Sequence, residues 1–282
     1  MRSRRRQRTL ARRVEVRGRS LHEGQHVTVQ LCPAEPGSGV VFVRQDTAAQ
    51  VPARVEGVVD THLATVLASA GMRVGTVEHL LAAFVGEGID NVRVELDGDE
   101  LPALDGGALQ WVHLIDLAGA VAQDALRDPL VLDRPMVLRQ GERWIRALPD
   151  PGLELDVTIR FPHPALGAQR LRLRMAPGVF RRELAWARTF GFLAELDQLH
   201  AAGRAQGAGL DDVLVYGPTG PLDPDALRSP DEPLRHKMLD LLGDLALLGR
   251  PLKARVIAHM PGHGLTRAFV TELARMQDAG GD

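Results

Sequence analysis

Three ionisable side chains recur at four-residue spacing in one apolar stretch of the chain. They are His236, Asp240 and Asp244, within the segment Pro233–Gly249. If this segment is a helix, the three side chains form one stripe, because residues four apart are stacked neighbours. A His and an Asp one turn apart can bind the same metal ion. The same spacing also fits an ordinary surface ion pair, so a metal site requires a further ligand from elsewhere.

The rest of this predicted helix is apolar around most of its circumference. Its apolar residues are Met238, Leu239, Leu241, Leu242, Leu245 and Leu248. A helix of this composition is normally buried, and buried ionisable groups are costly unless a partner compensates their charge. A metal ion is such a partner, so the surroundings favour the metal site. Pro233 precedes the helix, and Gly249 is predicted to end it.

A second helix that is apolar nearly all round is predicted over Thr76–Gly86, with Thr76 as its N-cap. Its ionisable residues are Glu78 and His79, which lie about 100° apart on a helix. Ala82 projects between them, and we expect this small residue to leave room for a bound group.

The order helix, glycine, strand occurs after Glu78 and again after Asp240, which indicates a diverged internal repeat. Two similar halves that face each other would bring Glu78 and His79 into one cleft with His236 and Asp240. Gly243 adjoins the second pair, and we expect it to leave space in the same way as the alanine of the first helix.

Two histidines and one aspartate with an open fourth position are typical of a catalytic zinc. Such an ion lowers the pKa of water towards neutrality and polarises a carbonyl. Glu78 could then serve as the general base. His263 lies between two glycines after a predicted strand and could protonate an amide leaving group, with Asp244 orienting it. The pattern therefore indicates metal-assisted hydrolysis, and it leaves the substrate open.

Composition bounds the class of protein. The 282 residues are 45% hydrophobic and 25% charged, which is ordinary for a soluble globular protein. The net charge of −2 argues against a dedicated nucleic-acid binder. Cys32 is the single cysteine, so no intramolecular disulfide can form, which fits a reducing compartment.

The arginine-rich start lacks the apolar segment of a secretory signal. We read it as a solvated tail or a weak contact with an anionic membrane, and we expect a cytoplasmic protein.

Patterns along the chain predict the remaining elements coarsely. Strands are predicted at Val40–Val43 and Asp60–Leu67, and a helix at Ala108–Ala118. The segment Ala122–Pro129 is predicted to be the linker between the two halves. Gly217–Pro230 is rich in Gly, Pro and Asp and is predicted to be a loop.

Seven motifs in this order resemble the UDP-3-O-acyl-N-acetylglucosamine deacetylases, the zinc amidases of the committed step of lipid A synthesis. The resemblance runs from about Gln7 to Arg267. The motifs are Ser20–Gly24, Thr76–Leu80, Gly88–Asn91, Leu104–Gly106, Ala187–Phe192, Arg235–Asp240 and Gly262–Gly264. Several long motifs in order are far more specific than an isolated His-x-x-x-Asp.

The resemblance implies a role for each candidate residue. It implies that Zn²⁺, or Fe²⁺ as the alternative, is held by three ligands and that the reaction releases acetate. The implied metal ligands are His79, His236 and Asp240. The implied catalytic residues are Glu78 as the general base, His263 as the general acid, Asp244 as the residue that supports His263, and Thr189 as a residue that stabilises the oxyanion. The implied substrate contacts are Phe190, Lys237 and Arg143. The implied partner is the UDP-sugar substrate, with no nucleic acid, at most peripheral membrane contact and a monomeric state.

The resemblance also implies an α+β fold of two similar domains. Each domain is a β-sheet with packed helices, and together they form a β-α-α-β sandwich with the active site between them. We expect the N-terminal domain to comprise residues 1–125 and the C-terminal domain residues 126–282. A βαβ insert near Phe192–Leu214 would line an apolar passage for the acyl chain.

Three positions depart from the family pattern. Arg143 replaces the usual lysine, Gly107 replaces a serine, and Gly207-Ala208-Gly209 replaces Gly-Gly-Ser. An arginine keeps the charge of lysine but changes its geometry. These departures leave open a related enzyme with the same machinery that acts on another acylated sugar. A binding protein that uses its basic N-terminus is the non-enzymatic alternative, and the presence of Glu78 and His263 argues against it.

Overall fold

The structure is a computed structural model that describes residues 5–278. The first half contains β1 Arg6–Leu10, β2 Val14–Arg19, β3 His26–Pro33, β4 Val40–Arg44, β5 Gln50–Pro52, β6 Val58–Asp60, β7 Val66–Ser69, β8 Met72–Val74, α1 Glu78–Glu87, β9 Val92–Leu96, α2 Leu109–Ala118 and β10 Ala120–Leu126. The second half contains β11 Leu130–Val131, β12 Met136–Gln140, β13 Arg143–Pro149, β14 Leu153–Arg160, β15 Ala168–Arg174, α3 Val179–Glu183, β16 Phe190–Phe192, α4 Leu193–Ala201, β17 Leu214–Tyr216, α5 Glu232–Leu245, β18 Leu252–His259 and α6 His263–Asp278. Two short 3-10 helices span Val55–Gly57 and Ala246–Leu248.

The main sheets of the two halves have the same strand order. The first is β2-β3-β9-β4-β5, and the second is β12-β13-β18-β14-β15, with β11 added beside β18. The central strand of each sheet runs antiparallel to one neighbour and parallel to the other. In both halves this central strand follows the helix that carries candidate site residues. The shared topology confirms the predicted α+β fold of two similar halves.

Helices fill the space between the two sheets. α1 packs directly on α5, while α2 packs on the first sheet and α6 on the second. One continuous apolar core includes the fully buried Leu80, Phe84, Met238 and Leu242 of the central helices. Burial of each such side chain stabilises the fold by about 1.5–3 kcal/mol. None of the helices within residues 5–278 is both long and apolar enough to cross a membrane.

The central helices touch through their backbones. At Gly243 of α5, an added Cβ atom would lie 2.0 Å from the carbonyl oxygen of Glu78 in α1. The expectation that Gly243 leaves space for a ligand is therefore wrong, because the backbone of the partner helix fills that space. The glycine instead lets the two helices approach closely enough to juxtapose their ionisable residues.

The start of α1 differs from the sequence prediction. Thr76 is not the N-cap, because the helix begins at Glu78 and the cap position is Val77. Thr76 has a positive φ of 57°, and its hydroxyl donates a hydrogen bond of 2.7 Å to Oε1 of Glu100. This tertiary hydrogen bond replaces the capping bond that the local pattern suggested.

Two other segments also differ. The predicted strand Asp60–Leu67 is interrupted, since β6 ends at Asp60 and β7 begins at Val66. The predicted linker Ala122–Pro129 is largely strand, because β10 pairs antiparallel with β1. Its partner lies more than one hundred residues earlier, so the local pattern could not reveal the pairing. The predicted division between residues 125 and 126 falls within β10 and stays a prediction.

We expect Gly243→Ala to destabilise the protein by about 1–3 kcal/mol, because the added methyl group must push α1 and α5 apart. Urea unfolding of the purified protein measures this effect. Gly220→Ala is the matched control, since an added Cβ there meets no atom within 4 Å. An unfolding midpoint of Gly243→Ala equal to that of the wild type would contradict the close helix contact.

Candidate active site

Two histidines and one aspartate from the central helices converge between the two halves. Nε2 of His236 lies 3.2 Å from Oδ1 of Asp240, and Nε2 of His79 lies 3.6 Å from the same oxygen. One ligand atom from each of the three residues lies within 4.8 Å of the other two. All three side chains are buried. The helix-borne pair of α5 thus meets a histidine from α1, as the sequence analysis expected.

The imidazole of His236 is held by the segment that precedes β16. Its Nδ1 donates a hydrogen bond of 3.0 Å to the carbonyl oxygen of Ala187, which leaves the Nε2 lone pair directed at Asp240. Burial is the largest effect on this ring and lowers the pKa of His236 to about 4, so the ring is neutral at pH 7. The neighbouring Arg188 forms a buried ion pair with Glu232 at the start of α5, with Nε and Oε1 3.0 Å apart. This ion pair holds the segment that contains Ala187 and Arg188 against α5.

Asp240 has one satisfied and one unsatisfied oxygen. Its Oδ2 accepts a hydrogen bond of 2.7 Å from Nζ of Lys237, whereas its buried Oδ1 has no hydrogen-bond partner. Burial opposes its charge, but His236, Lys237 and His79 together hold the pKa of Asp240 well below its usual range. A buried carboxylate oxygen without a donor is costly. A divalent ion among this oxygen and the two Nε2 atoms would compensate it, and the donor set therefore fits a metal ion.

Glu78 lies at the first turn of α1, beside the three candidate ligands. Its Oε2 accepts a hydrogen bond of 3.1 Å from the backbone N–H of Thr65. Its Oε1 lies 3.9 Å from Nε2 of His263. Burial is the largest effect and raises the pKa of Glu78. The carboxylate is thus held on one oxygen and free to accept a proton on the other.

His263, the first residue of α6, faces Glu78 across the site. Its Nδ1 donates a hydrogen bond of 2.9 Å to Oδ2 of Asp244. Burial acts to lower the pKa of His263, but the charge and hydrogen bond of Asp244, helped by the charge of Glu78, raise it to about 9. The imidazole therefore carries a proton on Nε2 at neutral pH, and this atom faces the interior of the site.

Thr65 is a site residue that the sequence analysis missed. Its hydroxyl donates a hydrogen bond of 2.6 Å to Oδ1 of Asp244 and lies 3.3 Å from Nδ1 of His263. Its backbone N–H holds Glu78, so one residue contacts both candidate proton-transfer groups. Thr65 lies in the loop that interrupts the predicted strand, where the residue pattern gave no signal.

A cavity of about 530 Å³ opens onto this cluster. It is lined by nine of the ten predicted site residues, namely Glu78, His79, Arg143, Thr189, Phe190, His236, Lys237, Asp240 and His263. The tenth, Asp244, lies behind His263. The cavity also reaches His22, which belongs to a motif of the sequence analysis without an assigned role, and whose Nδ1 is buried and unpartnered.

One wall of the cavity comes from a βαβ unit in the second half. β16 and β17 pair in parallel and α4 connects them, which matches the predicted insert. The departure at Ala208 faces the cavity. The departure at Gly107 lies against the backbone of another segment, since an added Cβ there would lie 2.8 Å from the carbonyl oxygen of Ala187.

Comparisons with known proteins match nearly the whole chain to one family. The family model for UDP-3-O-acyl N-acetylglycosamine deacetylase matches residues 7–275. A relative from Anaeromyxobacter sp. (strain Fw109-5) is 46% identical over 95% of this chain and 88% of its own length. A relative from Myxococcus xanthus (strain DK1622) is 44% identical over 95% of this chain and 86% of its own length. One from Anaeromyxobacter dehalogenans (strain 2CP-C) is 42% identical over 95% of this chain and 87% of its own length. Each relative is named UDP-3-O-acyl-N-acetylglucosamine deacetylase.

We expect the purified protein to bind one divalent metal ion per chain at the three converging ligands. His79→Ala, His236→Ala and Asp240→Ala should each lose the ion on dialysis, because each removes one of three donors. Elemental analysis of the dialysed proteins measures the metal content. Glu78→Ala is the matched control, since it removes a buried neighbour of His79 without removing a ligand. Retention of the ion by all three ligand variants would contradict the site.

Proposed function

Because the chain belongs to the UDP-3-O-acyl N-acetylglycosamine deacetylase family, we propose that it hydrolyses the acetamide of UDP-3-O-acyl-N-acetylglucosamine. Water adds to the amide carbonyl, the carbon–nitrogen bond breaks, and acetate and the free amine leave. In lipid A synthesis this is the committed step. The observation that carries the proposal is the convergence of three ligands, a buried carboxylate and a protonated imidazole in one cavity.

The candidate ligands for the metal are His79, His236 and Asp240, and we propose zinc as the ion, with Fe²⁺ as the alternative. Such an ion, when bound, supplies Lewis-acid polarisation of a carbonyl and acidifies water. Neutral imidazoles and a carboxylate are the donors that zinc prefers in catalytic sites. The hydrogen bond from His236 to the carbonyl of Ala187 keeps that ring in the tautomer required of a ligand.

Glu78 is proposed to take the proton from the attacking water. Its pKa is raised by burial, which brings its basicity closer to the range useful for a general base at neutral pH. The hydrogen bond from Thr65 N–H fixes Oε2, so that Oε1 is the oxygen available for the proton. This division between the two oxygens holds the base in one orientation.

His263 is proposed to give its Nε2 proton to the departing amine. Asp244 anchors Nδ1 and keeps the ring charged at neutral pH, so that the acid is already loaded before the substrate arrives. The proposed position of Thr189 is beside the developing negative charge on the carbonyl oxygen, where hydrogen-bond donors stabilise an oxyanion. Lys237 lines the same cavity and is proposed to contact the substrate. Phe190 and Arg143 line the same cavity and are proposed to contact the sugar and phosphate portions.

The βαβ unit is proposed to accept the 3-O-acyl chain. Apolar side chains of this unit and its surroundings line the cavity, including Phe161, Phe192, Leu199 and Val213. Apolar walls with a few polar groups at one end are the usual form of a site for an amphipathic ligand. The polar cluster would then act on the acetamide while the acyl chain lies against α4.

Acetate release from UDP-3-O-acyl-N-acetylglucosamine by the purified protein tests the proposal. We expect release that stops on chelation, returns with zinc and falls about 10²–10⁴-fold in Glu78→Ala, since that is the usual contribution of a general base. Absence of acetate from a folded, zinc-loaded protein across several acyl lengths would reject this substrate. Near wild-type rates in Glu78→Ala would reject the base assignment alone.

Thr65→Val should lower kcat about tenfold or more while KM and metal content stay unchanged. The substitution keeps the backbone N–H that holds Glu78 but removes the hydroxyl that orients Asp244, and losses of orienting contacts of this kind typically cost about 10–100-fold. Steady-state kinetics on the zinc-loaded protein measure the effect. Thr65→Ser is the matched control, because it retains the hydroxyl and should recover most of kcat. Equal losses in both variants would contradict the role of the hydroxyl.

A further inference from the structure

The outward face of the C-terminal sheet carries an excess of positive charge. Strand pairing and alternation place seven cationic side chains on the body of this face: Arg139, Arg146, Arg170, Arg172, Arg174, Lys253 and Arg255. Three carboxylates accompany them, Asp150, Glu154 and Asp156. The face therefore has four uncompensated positive charges in a chain whose net charge is −2. We call this surface the basic face.

Buried carboxylates hold several of the guanidinium groups in place. Asp156 has no exposed surface and accepts two hydrogen bonds from Arg170, of 2.8 and 2.9 Å, and one of 2.8 Å from Arg255. Glu154 lies 2.7 Å from Arg172 and 3.1 Å from Arg174. The side chains of Arg170, Arg172 and Arg174 cover the carboxylates and remain about half exposed themselves. Their outer N–H groups therefore form a fixed layer at the protein surface.

Further cations on the same face lack such partners. Arg139 and Arg146 are exposed, and neither forms an ion pair within residues 5–278. Arg139 lies over the ring of Trp144, 5.7 Å from its centroid, and Trp144 stacks on His259 at 5.9 Å. Val137 is 58% exposed beside them. The face thus combines free positive charge with an aromatic ring and an exposed aliphatic side chain.

The equivalent face of the N-terminal sheet provides an internal comparison. Its charged side chains are Arg13, Glu15, Arg17, Arg19, Arg93, Glu95 and Asp97, four positive and three negative. The contacts there include a pair between Arg93 and Glu95 at 2.7 Å. The two sheets have the same strand order, so the topology does not require the positive excess. The positive excess is therefore concentrated on the C-terminal sheet, which has four surplus positive charges against one on the N-terminal sheet.

The basic face adjoins the mouth of the active-site cavity. Arg143 at the start of β13, Arg160 at the end of β14 and Met260 just after β18 all line that cavity. Trp144, His259 and Thr158 form the adjacent row on the outward face. A planar anionic surface bound to the basic face would therefore lie beside the cavity mouth.

We propose that the basic face docks this protein on an anionic phospholipid membrane. Strands spaced about 4.8 Å apart make this five-stranded face about 20 Å wide, broad enough to contact several phosphate headgroups at once. Arginine, lysine and tryptophan are the residues that favour the headgroup region. The choice of a membrane over an acidic protein or a nucleic acid rests on the proposed function, because a single acyl chain gives a substrate a weak, reversible affinity for the bilayer.

Sedimentation with lipid vesicles tests the proposal, using the full-length, zinc-loaded protein. We expect binding to phosphatidylcholine vesicles that contain phosphatidylglycerol, no binding to phosphatidylcholine alone, and release by salt. Arg139→Glu/Arg146→Glu should weaken binding at least about 25-fold, since each basic residue near an anionic surface contributes about fivefold. The matched control is Arg13→Glu/Arg17→Glu, which makes the same change in net charge at the N-terminal sheet.

Equal binding to neutral and anionic vesicles, no binding to either, or equal weakening in the control would each overturn the proposal. Retention on heparin without vesicle binding would also overturn it in favour of another polyanion. Acetate release measured without vesicles should be unchanged in both variants, because neither touches the cavity lining. A failure of acetate release in the wild type, with vesicle binding intact, would reject the proposed reaction and leave the docking surface.

Discussion

The close approach of α1 and α5 is the contact on which the rest of the structure depends. Each helix carries only part of a site: one brings Glu78 and His79, the other His236 and Asp240. Gly243 allows the backbone of α5 to lie against that of α1, and this brings the two pairs to one place. The outer sheets, with their repeated topology, hold the helices in that arrangement from both sides.

Such a contact gathers several ionisable groups into a small buried volume, and the structure compensates their charges in a definite pattern. Lys237 neutralises one oxygen of Asp240, and His263 pairs with Asp244. Thr65, from the other half of the chain, links Asp244 to Glu78. The exception is Oδ1 of Asp240, which faces two imidazole nitrogens without a donor. The other polar atoms of this cluster are paired, so a buried acceptor without a donor indicates a position for a cation.

The sequence predicted those features of the site that depend on local geometry. The stripe of His236, Asp240 and Asp244 follows from helical periodicity, and the burial of both helices follows from their apolar composition. The repeat of helix, glycine and strand predicted two similar halves, which the strand orders confirm. The motifs supplied the remaining candidates, and the structure places them in or directly behind one cavity.

Features that depend on distant partners could not be read from the sequence. Thr65 acts from a loop within the segment predicted to be a strand, and β10 pairs with a strand at the other end of its half. Thr76 uses its hydroxyl for a tertiary bond instead of a helix cap. The glycine at position 243 indicated that little space is available or needed beside the helix there. The sequence could not show whether that space is taken by a ligand or by the backbone of α1.

X-ray absorption spectroscopy of the zinc-loaded protein tests the central claim most directly, because it reports the atoms that the two helices bring to the ion. The account predicts a first shell of two imidazole nitrogens and oxygen donors at about 2.0–2.2 Å. A first shell that contained sulfur, or that lacked imidazole, would mean that α1 and α5 do not supply the ligands together.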